Sequence, residues 1–97
     1  MIRRCKFLRS AVMSKTIFDG AHTQLVDIMI AARKRSGLTQ VELAAKVGRD
    51  QTFISLIERS QRRIDVLEFI ALARAMGEDP QRLFSELISN IPLAIEI

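Results

Sequence analysis

The sequence predicts an all-α fold, a compact domain of five short helices. Three observations predict it: apolar residues recur at helical spacing, glycines and capping residues punctuate the chain, and nothing before the last few residues alternates like a strand. From Thr23 to Ser36, Leu25, Ile28, Met29 and Ala32 fall at i, i+3, i+4 and i+7, and Gly37 follows as a left-handed stop. That is helix one. Thr39 with Glu42 forms a capping box for a short helix two, whose face is Leu43, Ala44 and Val47 before Gly48. Asp50 caps helix three, which begins with Gln51 and Thr52 and runs to about Arg59. Asp65, with Glu68 three residues on, caps helix four, in which Leu67, Ile70, Ala71 and Ala75 are expected inward and Gly77 ends the pattern. Asp79 and Pro80 open helix five, with Leu83, Phe84, Leu87 and Ile88 as its apolar positions. After Pro92, Leu93, Ile95 and Ile97 alternate with Ala94 and Glu96, compatible with a short strand.

Ninety-seven residues suit one domain with one modest core. Although 48% of the residues are apolar, no run approaches the roughly 20 needed to cross a bilayer, so a soluble, cytoplasmic protein is expected. The basic start resembles a signal-peptide front end, but Arg9, Ser14 and Lys15 break the apolar stretches behind it. A single cysteine, Cys5, excludes an internal disulfide and fits a reducing compartment.

The net charge of +4 is unevenly spread. Residues 1–15 carry five positive charges and no negative ones, so the remainder sums to −1. Within it, residues 31–63 hold eight Lys or Arg against Glu42, Asp50 and Glu58, a net +5, whereas residues 64–97 hold two against six acids, a net −4. This polarity suits one face meeting a polyanion and another kept away from it, although solvated helix faces give the same count.

On helix three, at about 100° per residue, Gln51, Thr52, Ser55 and Arg59 share one quadrant, and Phe53, Ile54 and Ile57 lie roughly opposite. A glutamine amide matches the donor and acceptor edge of adenine, and short hydroxyls let a helix approach base edges closely. Gln40, at the start of helix two, lies where backbone N–H groups favour phosphate. An isolated helix with such a face is more simply read as solvated. Its neighbours shift the balance: the preceding short helix, the glycine bend, small Ala44 at the crossing, and Arg49, Arg62 and Arg63 flanking the polar residues agree with one DNA-reading device.

"GLTQVELAAKVG" followed by "QTFISLIERSQRR" resembles the XRE group of helix-turn-helix proteins, the phage-repressor type that includes lambda repressor and Cro, over about Leu25 to Leu87. The resemblance implies a five-helix domain that binds double-stranded operator DNA, usually as a twofold dimer, with helix three in the major groove. It implies Gln40 at phosphate, Gln51, Thr52 and Ser55 at bases, and Arg62 and Arg63 in a loop gripping the backbone. Arg49 and Arg59 add phosphate-binding candidates. Arg33 and Glu58 match positions that often pair to link helix one to helix three. Two positions depart from the pattern. Leu56 stands where relatives often carry a polar base-reading side chain, leaving a thymine methyl as its partner or none, and Ser60 stands where glycine is common.

The resulting expectation is a dimeric repressor of a short inverted repeat, with half-sites about 34 Å apart. The rival is an antitoxin-type protein that chiefly binds a protein partner and uses DNA binding for autoregulation. The domain proper is placed at residues 21–90, between a basic tail at 1–20 and an apolar tail at 91–97 that, with helix five, would form the dimer contact. Arg3, Arg4, Lys6 and Arg9 form a basic arm for phosphate, unless translation starts at Met13, in which case affinity rests on the +5 middle. Catalysis is not expected. The chain has one histidine, His22, read as a residue at a helix start, no tyrosine and no glycine-rich phosphate loop, and Cys5 and His22 are too isolated for a metal site; no cofactor is expected.

Overall fold

The computed structural model describes residues 20–95, and the basic arm, Cys5, Met13, Glu96 and Ile97 lie outside them. Five helices follow one another: α1 (Gly20–Ser36), α2 (Gln40–Lys46), α3 (Gln51–Glu58), α4 (Val66–Ala75) and α5 (Pro80–Asn90). No strand occurs among the described residues.

Side chains cap the N-termini of α2, α3, α4 and α5. The Thr39 and Asp65 side chains accept from the Glu42 and Glu68 N–H groups, and each glutamate returns a bond to its cap residue's backbone, so both capping boxes are complete. Asp50 accepts from the Phe53 N–H and Asp79 from the Gln81 N–H. Each cap contributes about 1 kcal/mol.

Four C-termini share one device. The turn after α2 is representative: the Gly48 N–H donates to Ala45 O at 3.2 Å and the Arg49 N–H to Ala44 O at 2.9 Å, the paired bonds of a Schellman motif. This requires a left-handed residue, and Gly48 supplies it at φ +73°. After α3 the same bonds run from Ser60 to Ile57 O at 3.0 Å and from Gln61 to Leu56 O at 2.8 Å. Ser60 therefore adopts φ +60° despite its Cβ. The exit from α3 keeps the geometry that glycine would give.

The core joins all five helices through Ile28, Met29 and Ala32 of α1, Leu43 and Ala44 of α2, Phe53, Ile54 and Ile57 of α3, Phe69, Leu72 and Ala73 of α4 with Met76 after it, and Leu83 and Leu87 of α5. Ala32, Ala44 and Ala73 are essentially inaccessible, and their small side chains let backbones approach closely. α3 packs on α1 and α2, the contact that fixes the orientation of its outer face.

Three expectations are corrected, for the start of α1, the phase of α4 and the C-terminal tail. α1 begins at Gly20, three residues before Thr23, and also buries His22 and Val26. In α4 the inward set is Phe69, Leu72, Ala73 and Met76, at i, i+3, i+4 and i+7, whereas Leu67 is 76% exposed and Ala71 is exposed. Apolar residues encircle this helix, and the observed phase wins because it buries a phenylalanine and a methionine, with the larger apolar area. In α5, Leu83 and Leu87 are buried but Phe84 and Ile88 are 52% and 57% exposed. The described part of the tail, residues 91–95, bends without forming a strand; among the described residues no neighbouring strand supplies hydrogen bonds.

Left-handed geometry costs an L-residue roughly 1–2 kcal/mol, and glycine returns about half of the gain through its greater freedom when unfolded. Ser60→Gly should therefore raise the unfolding free energy by about 0.5–1 kcal/mol, whereas β-branched Ser60→Val should lower it by about 1 kcal/mol, both readable by urea denaturation.

Candidate nucleic-acid interface

The outward side of α3 carries the residues that the sequence singles out. Gln51 and Thr52 are exposed in its first turn, Ser55 is half-buried on the same side, and Leu56 is half-buried at the boundary with the core. Helical spacing brings Gln51, Thr52 and Ser55 together, because Phe53, Ile54 and Ile57 hold the opposite side in the core.

One edge of this face is fixed by a chain of side-chain hydrogen bonds. Arg33 Nε donates to Glu58 Oε2 at 2.6 Å and Arg33 Nη2 to Glu58 Oε1 at 3.0 Å, a two-pronged ion pair between α1 and α3. Only 12% of the Arg33 side chain and 9% of the Glu58 side chain are exposed. Arg33 Nη1 also donates to Leu38 O at 2.9 Å, tying down the link into α2. Gln40 Nε2 donates to Glu58 Oε1 at 2.9 Å, and Gln51 Nε2 donates to Gln40 Oε1 at 3.1 Å. An α1 arginine thus orients, through two intervening side chains, a glutamine in the first turn of α3. The amide orientations follow from these bonds, since each nitrogen faces an oxygen.

The other edge is fixed by a second cluster. Arg62, in the loop after α3, donates from Nη1 and Nη2 to the two Glu68 oxygens, each at 2.8 Å, and from Nη1 to Arg63 O at 2.8 Å. The guanidinium carbons of Arg49 and Arg62 lie 4.2 Å and 4.7 Å from the centre of the Phe53 ring. The negative ring face attracts both cations. The hydrogen bond from Arg62 holds the Glu68 carboxyl below the usual carboxylate range, and the reciprocal bond raises the Arg62 guanidinium. Between the two edges, Arg59 Nε donates to Ser55 Oγ at 3.1 Å, and Arg63 is exposed.

Ten of the eleven residues singled out by the sequence therefore lie on α3, on its flanking turns, or on the pair that sets it, and the eleventh, Gln40, opens α2 and bridges that pair to Gln51. Sequence reasoning missed the Gln40 bridge, the Phe53 platform and the contact of Glu68 with Arg62. Among the described residues, no group of three or more His, Cys, Asp or Glu could hold a metal ion, and no helix is long and apolar enough to cross a membrane.

This arrangement is a short helix, a glycine turn and a second helix with an outward polar face. The helix-turn-helix family model HTH_3 matches it over residues 29–83. An XRE-family like protein from Pseudomonas syringae pv. tomato str. DC3000 is 43% identical over 74% of this chain and 88% of its own, with a TM-score of 0.70. The chain belongs to the XRE helix-turn-helix family. It is thereby a DNA-binding transcription regulator. Two restriction-modification controller proteins share the XRE fold seen here. C.AhdI from Aeromonas hydrophila is 30% identical over 63% of this chain and 88% of its own, with a TM-score of 0.58. C.Esp1396I, solved as a tetramer with its natural 35 base-pair operator, is 27% identical over 69% of this chain and 88% of its own, with a TM-score of 0.63. No curated protein matches the chain.

Removing one partner from a buried pair leaves the other charge without compensation. Glu58→Ala should therefore cost about 3 kcal/mol of unfolding free energy. By contrast, Glu78→Ala, which breaks the exposed Arg35–Glu78 pair at 3.1 Å, should cost less than about 1 kcal/mol in the same denaturation experiment.

Proposed function

We propose that this XRE-family protein is a sequence-specific repressor that binds a short inverted repeat in double-stranded DNA as a homodimer. The observation that carries the reading is the Arg33–Glu58–Gln40–Gln51 chain, which holds an exposed glutamine amide in one orientation at the start of α3. A side chain that only faces solvent does not need such support. In the major groove, Gln51 would present its remaining N–H and its carbonyl to an adenine, Thr52 and Ser55 would meet base edges, and Leu56 would lie against a thymine methyl. Gln40, Arg49, Arg59 and Arg63 would border the phosphates; Arg62 is held by Glu68, so Arg63 is the more freely available of the two loop cations.

Exposed Phe84 and Ile88 on α5, together with Leu93 and Ile95 beyond it, support a dimer contact on the side of the chain where negative charge collects. Two copies joined there would present two α3 helices to adjacent turns of one duplex. The controller protein C.Esp1396I, solved as a tetramer with its natural operator, supports the binding of operator DNA by an assembly of copies. The same apolar residues would serve a protein partner in the antitoxin-type reading.

Selection of bound fragments from a random duplex pool tests the proposal. An enriched inverted repeat is the expected result, and retention without any enriched motif would overturn it. On the selected site, Gln51→Ala should lose about 1–3 kcal/mol and relax preference at one base pair. Arg63→Ala should weaken binding to every duplex and make the salt slope shallower by about 0.9. Ile88→Glu should shift the dimer to monomer in analytical ultracentrifugation and abolish tight binding to the two-half site; an unchanged dimer would exclude α5 from the contact.

A further inference from the structure

Arg62 stands out among the cations around α3 because its donors are turned inward. Nη1 and Nη2 both engage Glu68, Nη1 also engages Arg63 O, and the guanidinium lies 4.7 Å from the Phe53 ring centre. Only 34% of its side chain is exposed. Glu68 also has a separate structural role, since its Oε1 accepts the Asp65 N–H at 3.0 Å in the capping box of α4. That bond requires an oxygen at the third helical position, which glutamine provides as well as glutamate. The negative charge of Glu68 is thus surplus to the cap. It serves to hold Arg62.

A carboxylate beside a DNA-facing loop opposes binding of a polyanion, and an arginine freed from it would add a phosphate contact indifferent to sequence. We propose that Glu68 is a specificity-determining residue, holding Arg62 in an internal ion pair that withholds it from phosphate and limits affinity for DNA of arbitrary sequence. Arg62 is then a positioning residue. Its guanidinium braces the loop against Phe53 and leaves Arg63 as the loop's phosphate contact. This inference rests on the DNA-binding reading above and adds to it a restraint on that binding.

Fluorescence anisotropy with a labelled duplex of random sequence, titrated between about 50 and 200 mM salt, tests it. Glu68→Gln should bind about threefold to tenfold more tightly at the low-salt end, with a slope steeper by about 0.9, the value of one additional phosphate. Affinity for the selected repeat should rise less, so the ratio of specific to random binding falls. Arg62→Gln should leave the slope of the wild-type protein unchanged, in contrast to Arg63→Ala. In the Arg62→Gln background, Glu68→Gln should give no steepening. Thermal melts of each variant establish that the fold is retained.

A shallower slope in Arg62→Gln would show that Arg62 already contacts phosphate and would overturn the proposal. So would an equal gain from Glu68→Gln with and without Arg62, which would reduce the effect to net charge. If wild-type protein binds no duplex at any salt, the DNA-binding reading fails as well; if it binds normally while Glu68→Gln changes nothing, only this inference fails.

Discussion

The ion pair between Arg33 and Glu58 is the constraint on which the remaining geometry depends. It is nearly buried, so each charge relies on the other and on the Leu38 carbonyl and Gln40 amide that complete the set. Well-packed apolar residues in such a place often give equal or greater stability. What apolar residues cannot give is direction. Four fixed bonds define how α1, the start of α2 and the end of α3 sit together, and they admit one arrangement where a greasy contact would tolerate several.

The same logic explains why α3 can be only eight residues long. A helix this short is not stable by itself, and its position comes from its surroundings. Phe53, Ile54 and Ile57 anchor it below, the Glu58 network holds one edge, and the Arg49–Phe53–Arg62–Glu68 cluster holds the other. The turns on either side repeat one backbone device, with Gly48 before α3 and Ser60 after it in left-handed geometry. Both edges are polar networks of arginine and glutamate, but they differ in setting. The first is sunk between helices and the second lies at the surface of the loop.

The local structure was readable where a single residue type answers a single backbone need. Thr39 with Glu42, Asp65 with Glu68, and the glycines at positions 37, 48 and 77 mark helix ends because unsatisfied N–H and carbonyl groups leave few alternatives. The Arg33–Glu58 pair was readable through resemblance, since the two are 25 positions apart and neither residue points to the other by periodicity. The phase of α4 was not readable. Its sequence VLEFIALARA offers two apolar stripes, and only the packed neighbours decide between Leu67 and Phe69. The contact of Glu68 with Arg62 stayed hidden because the capping box already accounts for a glutamate at that position. A residue with two roles discloses only the one with a local pattern.

The division of α3 into an anchored side and an outward side separates what keeps the domain folded from what its surface displays. Thr52 is exposed and contributes nothing to the apolar core, so its side chain can be replaced without disturbing Phe53, Ile54 or Ile57. Descendants of one such gene can diverge at this position while inheriting an unchanged scaffold. Gln51 is less free, because it is the last member of the hydrogen-bonded chain that starts at Arg33. Drift along this surface should therefore begin at Thr52 and reach Gln51 only together with Gln40.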